Sequence, residues 1–228
     1  TGNLGNIALL RIAAEYGVAI IEDDPYGELR YEGEDILPIC ALHKENTIYL
    51  STFSKTLAPG IRIGWIVAPA RVLGRIVQAK QGADLHSSGF DQMLAYEVLK
   101  DGFMDEHIQV IRKVYGERRD VMLAALKRYF PTECSWTRPA GGLFLWARVP
   151  EWIDTGELLK EAVAAKVAYV PGFAFYAEAD RGRNTMRLNF SNAQPDQIEE
   201  GIRRLGVLLK TKISRYNRLE AVHSLSQE

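Results

Sequence analysis

The 228-residue chain carries 28 basic and 29 acidic side chains, a net charge of -1 that offers no electrostatic footprint for nucleic acid or an anionic membrane. At 47% hydrophobic and 25% charged it has ordinary globular composition and enough length to bury a core, so small-molecule chemistry is the class left standing. Cys40 and Cys134 match neither a disulfide framework nor a metal-ligand spacing, no apolar stretch reaches membrane-span length, and the first residues carry no export signal, which together point to a reducing cytoplasm.

The chain opens as if mid-domain. "TGNLGNIALLRIAAEYG" enters an amphipathic helix at once, with Ile7, Leu10 and Ala14 expected on one face and Gly17 placed to end it. "VAII", residues 18–21, is an unalternating β-branched run and reads as a buried parallel strand with Glu22, Asp23 and Asp24 at its carboxyl end. "TIYLST" (47–52) and "GWIVA" (64–68) read the same way, and a helix follows with Val72, Leu73, Ile76 and Val77 at helical spacing. This is α/β grammar.

From "GFDQMLAYEVLK" the pattern turns helical. Met104, Ile108, Ile111, Tyr115 and Met122 mark a long stripe ending near Phe130, where Pro131 stops it. Then come a strand "GLFLWARV", a helix over 157–166 capped by Asp154, a strand "VAYV" and the segment "MRLNFS", a mixed α+β order. Pro195 begins a last helix carrying Ile198, Ile202, Leu205 and Leu209, with a polar, weakly helical tail after Lys212. The expected division is 1–115, a three-layer α/β portion; 116–211, a smaller α+β portion; and 212–228, the tail. Trp65, Trp136, Trp146 and Trp152 are expected in the core or the domain seam. His43, His86, His107 and His223 have no ligand-like spacing, so no metal is expected.

Two clusters carry chemistry. In "STFSKTLAPGIRIGW" (51–65), Lys55 follows a strand end, with Thr52 and Ser54 beside it and Arg62 beyond a Pro-Gly turn. The hydroxyls and guanidinium suit a phosphate dianion while the amine forms an imine with a carbonyl; a solvated surface lysine is the other reading, and spacing leaves both open. In "IIEDDPYGELRY" (20–31), Asp23 and Tyr26 leave the same carboxyl edge, where open α/β sheets bind ligands. The acids could equally cap or solvate a turn.

Taken together, these two stretches closely resemble the class I/II aminotransferases, fold-type-I pyridoxal-phosphate enzymes, nearest their 2-aminoadipate and aromatic branch. The resemblance spans nearly all of residues 1–211 and implies an α/β fold, a partial large-domain α/β/α sheet plus a small α+β domain. By resemblance Lys55 is the Schiff-base lysine, Asp23 the partner of the pyridine nitrogen and Tyr26 the donor to the phenolic oxygen of pyridoxal 5'-phosphate. Thr52, Ser54 and Arg62 resemble the phosphate contacts, and Arg187 in "NTMRLNFSN" the arginine that grips the substrate carboxylate. Gly141 and Gly142 in "RPAGGLFLW" resemble a turn that lets backbone approach substrate, an ordinary hairpin turn being the other reading. "VPGFAFY" resembles the loop before the arginine segment. The loop from Lys55 to Arg62 is shorter than in the aspartate-aminotransferase pattern and suits the aminoadipate-like branch, where Thr52 replaces a frequent serine.

Residues 1 and 2 look like the second half of the family's Asn-Pro-Thr-Gly turn, so the chain reads as a C-terminal portion whose missing strands would cover the sheet's apolar faces. The implied activity is transamination between an amino acid and a 2-oxo acid, 2-oxoglutarate by resemblance, in a homodimer. A carbon-sulfur lyase, the effector domain of a transcription regulator, and a cofactor-free remnant are the alternatives. Acidic, aromatic and branched substrates all remain open.

Overall fold

Helix α1 (Asn3–Glu15) ends as Gly17 predicts: its φ of 64° is in the left-handed region, Val18 N donates to Ala13 O at 3.0 Å and Gly17 N to Ala14 O at 3.3 Å, the paired bonds of a Schellman cap. The buried face is turned one position from the expected one. Asn6 and Ala13 are buried while Ile7 is 48% exposed, because Asn6 is drawn inward to donate its side-chain N–H to Leu37 O at 3.1 Å.

The computed structural model describes residues 3–178 and 180–225, with side chains to 221; Thr1, Gly2 and the surroundings of His223 lie outside the described residues. Strands β1 (Ile20–Asp23) and β2 (Thr47–Thr52) pair in parallel, joined through the short helix α2 (Ile39–Leu42). Strand β3 (Gly64–Val67) pairs antiparallel to β2, against the parallel expectation. The reason is chain length: residues 53–63, with a 3₁₀ turn at Pro59–Ile61, are too few for a parallel crossover, which takes about a dozen residues or more. Nor are the strands buried on both faces as their unbroken apolar runs suggested. β1 alternates half-buried and exposed, leaving Ile21 68% exposed, and β3 is exposed throughout. Helices α3 (Ala70–Ala83) and α4 (Gly89–Leu99) follow, the latter capped by Ser88, whose Oγ accepts from Asp91 N.

Helix α5 (Phe103–Tyr129) is as long as its stripe predicts. The chain divides by its contacts into two units, Thr1–Arg112 with Ala140–Gly142, and Lys113–Pro139 with Leu143–Glu228, so the division passes through α5. In the second unit β4 (Ser135–Trp136), β5 (Phe144–Arg148), β6 (Val170–Pro171) and β7 (Thr185–Asn189) form an antiparallel sheet in the order β4-β5-β7-β6. One face is core: Leu145, Ala147, Met186 and Leu188 alternate inward, and Ile198, Ile202, Leu205 and Leu209 of the last helix are buried in the same unit. Asp154 caps α6 (Thr155–Ala164) as expected, its Oδ1 accepting from Gly156 N at 2.7 Å.

Two expectations in this unit change. The strand expected at 167–170 begins only at Val170, since Lys166, at φ 65°, closes α6 with a second Schellman pair. Helix α7 (Pro195–Leu225) runs through the tail expected to be weakly helical. Ile213 and Tyr216 extend the inward row beyond Leu209; Tyr216 stacks on Trp152 with ring centroids 4.0 Å apart, and Lys212 pairs with Glu161 at 2.7 Å. Trp152, 41% exposed, and Trp65, 37% exposed, are not buried in a core.

Candidate active site

Parallel pairing sets the carboxyl ends of β1 and β2 side by side. Asp23 stands opposite Leu50, Asp24 N donates to Leu50 O at 2.9 Å, and Ser51 Oγ donates to Asp24 O at 2.8 Å. Beyond β2 the chain turns on itself, Leu57 N donating to Phe53 O at 2.8 Å, which buries Thr56 and leaves Lys55 exposed at the turn. Among the described residues neither the Lys55 amine nor the Asp23 carboxylate has a hydrogen-bond or ion-pair partner. Two opposite charges at one sheet edge, both unpaired, are available to a ligand.

The hydroxyls and Arg62 form a connected group. Thr52 Oγ1 lies 2.9 Å from both Ser54 Oγ and Ile63 O and accepts from Ser54 N at 3.1 Å. A carbonyl only accepts, so the Thr52 proton goes to Ile63 and the Ser54 hydroxyl donates to Thr52. Arg62 Nη1 donates to Pro59 O at 3.1 Å and stands 3.5 Å from Ser54 Oγ. Its backbone is left-handed, φ 51°, an uncommon conformation for a residue with a Cβ. This group holds donors of the kind a phosphate dianion takes, with no carboxylate on Arg62 among the described residues.

Tyr26 is placed differently. It lines a cavity of about 410 Å³ with Asn6, Glu22, Asp24 and Arg30, which includes neither Asp23 nor Lys55. A second cavity of about 230 Å³ joins Asp24 and Thr52 to Tyr49, Ser51, Thr56 and Trp65. Tyr49 donates to Asp24 Oδ2 at 3.3 Å, and its phenol is held above the usual range by burial first, with the Asp24 and Glu22 carboxylates adding and a hydrogen bond with Ser51 opposing. Sequence reading did not single out Asp24 and Tyr49, which line this cavity together. Strand parity was the available signal, since Glu22, Asp24, Tyr49 and Ser51 share one face while Asp23 and Thr52 share the other.

The glycine pair brings two backbone segments together. Gly141 bridges Arg30, a Cβ there would stand 2.4 Å from Leu29 O, and Gly142 N donates to that same oxygen at 2.8 Å. The Tyr31 hydroxyl donates to Gly142 O.

In the second unit Arg187 projects from the outer face of β7, half-buried, beside a cavity of about 250 Å³ that Phe144, Tyr169, Val170 and Asn189 also line. Its guanidinium carbon lies 4.0 Å from the Phe144 ring centroid and 4.7 Å from that of Phe175. No carboxylate pairs with it among the described residues. Tyr169 is fixed by donating to Thr155 O at 2.7 Å, and burial above all pushes its phenol up.

Comparison with known proteins shows the family. The family model for aminotransferase class I and II matches residues 7–205. An aromatic-amino-acid aminotransferase of Thermococcus litoralis is 48% identical over 208 residues, 91% of this chain and 50% of that protein. A multiple substrate aminotransferase from Thermococcus profundus superposes with a TM-score of 0.91 at 44% identity, over 94% of this chain and 53% of that one. An α-aminoadipate aminotransferase from Thermus thermophilus, complexed with N-(5'-phosphopyridoxyl)-L-leucine, does so with a TM-score of 0.87 at 40% identity, over 92% and 54%. The chain spans about half the length of the curated relatives it matches. Among the described residues no helix is long and apolar enough to cross a membrane.

Proposed function

The chain belongs to the class I and II aminotransferases, of fold type I, and from that premise we propose that it carries the cofactor lysine and the carboxylate arginine of an enzyme that moves an amino group from an amino acid to a 2-oxo acid. The observation that most supports this is the unpaired Asp23 carboxylate and unpaired Lys55 amine at the shared carboxyl edge of β1 and β2. The donor set matches pyridoxal 5'-phosphate: an amine to anchor an aldehyde, a carboxylate to hold a pyridine nitrogen protonated, and a hydroxyl and guanidinium group for the phosphate. When bound, that cofactor supplies a ring able to accept the electron pair left at a substrate Cα.

The side chains then divide the work. Lys55 would be the covalent anchor and the base that moves the proton at the substrate Cα. Asp23 would pair with the ring nitrogen. Thr52, Ser54 and Arg62 would bind the phosphate; donation by Tyr26 to the phenolic oxygen would require its hydroxyl to reach out of the cavity it lines with Glu22 and Arg30. Arg187 docks the substrate carboxylate, its planar fork of N–H donors suiting a bidentate contact. The acceptor is 2-oxoglutarate, and the working form is a cytoplasmic homodimer; free thiols at Cys40 and Cys134 support a reducing compartment.

Titration of the chain with pyridoxal phosphate, followed by visible absorbance, tests the reading. Saturable binding that Lys55→Ala abolishes, and that Asp23→Asn weakens with a blue-shifted band, is the expected result. Equal binding by wild type and Lys55→Ala would overturn it.

A further inference from the structure

Arg187 does not lie as outer-face arginines of small sheets ordinarily do. Such a side chain extends into water or finds a carboxylate. Here the register of β5 and β7 puts Trp146 directly opposite Arg187 and Phe144 opposite Asn189, so Phe144 is the diagonal neighbour on the same face. The 3₁₀ turn Gly172–Phe175, which follows β6, brings a second ring over the same guanidinium from the other strand neighbour's side. Phe175 is itself braced, meeting Trp146 edge to face with centroids 5.3 Å apart, and Tyr176 stands against the same indole at 6.5 Å.

Resting on the reading of Arg187 as the carboxylate dock, we infer that Phe144 and Phe175 are positioning residues that bracket its guanidinium and prepare it, unpaired, for an incoming carboxylate. Ring faces attract a guanidinium through their quadrupole but accept no hydrogen bond from its N–H groups in the manner of an oxygen, so the fork is held in place while its donors stay available. A carboxylate partner in the same place would hold it equally well and compete with the ligand. Aromatic bracketing also removes part of the rotamer freedom that a long side chain loses on binding. The cavity beside the bracket, with Asn189 at its rim, is where the donors are free to meet an anion.

The test uses the 228-residue chain and 2-oxoglutarate as the probe, followed through the arginine side-chain N–H resonances, with Arg187 assigned from its loss in Arg187→Lys. The bracket predicts an Arg187 signal displaced upfield by the two rings, which Phe144→Leu and Phe175→Leu each move back toward the position of a solvated arginine. Each Leu variant weakens 2-oxoglutarate binding by about two- to fivefold, the factor a single exposed cation–π contact supports, and Phe144→Tyr and Phe175→Tyr retain both the displacement and the affinity. Backbone amide spectra of the second unit confirm that each variant is folded. Unchanged Arg187 resonances in both Leu variants, or Tyr variants that lose as much affinity as the Leu ones, would overturn the bracket. Arg187→Gln binding as tightly as wild type, or no binding by wild type, would instead overturn the docking role of Arg187, and the resonance positions then judge the bracket by themselves.

Discussion

Arg62 holds a left-handed backbone, φ 51°, at the end of a 3₁₀ turn, and its guanidinium reaches back to Pro59 O and toward Ser54 Oγ. A residue with a Cβ carries a cost of about 1–2 kcal/mol in that conformation, which glycine does not. Stability and ligand binding therefore separate at this position. Arg62→Gly is expected to leave the melting temperature unchanged or slightly raised while weakening the binding of pyridoxal phosphate, with calorimetry and absorbance titration as the measurements; a lowered melting temperature with unaltered affinity would show the guanidinium to be structural. The hydroxyl, lysine and arginine spacing that points to this cluster was legible because a short turn keeps sequence neighbours together. The Phe144 and Phe175 rings on Arg187 were not legible, since they arrive from different strands and depend on a register that no local pattern reveals. The cavity of Tyr26 escaped for a similar reason: it is closed by Gly141, far away in sequence.

Elements were read best where apolar periodicity and a stop signal agree. α5 ends against Pro131, α6 begins on Asp154, and β2 coincides with "TIYLST". Direction and burial were harder: β3 has the composition of a buried parallel strand, yet the short link after β2 reverses it and its side chains remain exposed. α7 was underestimated because its polar continuation is held by cross-element contacts, Tyr216 on Trp152 and Lys212 on Glu161. The same helix carries a pH signature. Hydrogen bonds from Arg203 first and Arg204 second lower the Glu200 carboxyl from 4.5 to about 2. A depressed folded-state pKa means stabilisation that is present above 4.5 and disappears as pH falls toward 2. Thermal melts of wild type and Glu200→Gln should differ at neutral pH and converge across that acid window; a difference independent of pH would show that the charge is not what matters.

At the scale of the whole molecule the two units are unequally furnished. Of the buried apolar side chains described, the first unit holds Ala13, Leu29, Ile39 and Ala95, while the second packs Leu126, Leu145, Leu158, Met186, Phe190 and Leu205 among others. The first unit instead exposes Leu4 at 84%, Phe90 at 77% and Ile21 at 68%. Burial of apolar area is the main favourable contribution to folding, so the second unit should carry most of the chain's resistance to opening. Amide hydrogen exchange is expected to show slow, cooperative protection in β5, β7 and α7 and early exchange in β1, β2 and α1; uniform protection would contradict that. The Lys55 edge lies in the unit with fewer buried apolar side chains, and the proposed function turns on its capacity to anchor a cofactor. Reduction with borohydride after incubation with pyridoxal phosphate, followed by peptide mapping, tests that most directly. The account predicts one stable phosphopyridoxyl group, on Lys55; label scattered over other lysines, or none on Lys55, would contradict it.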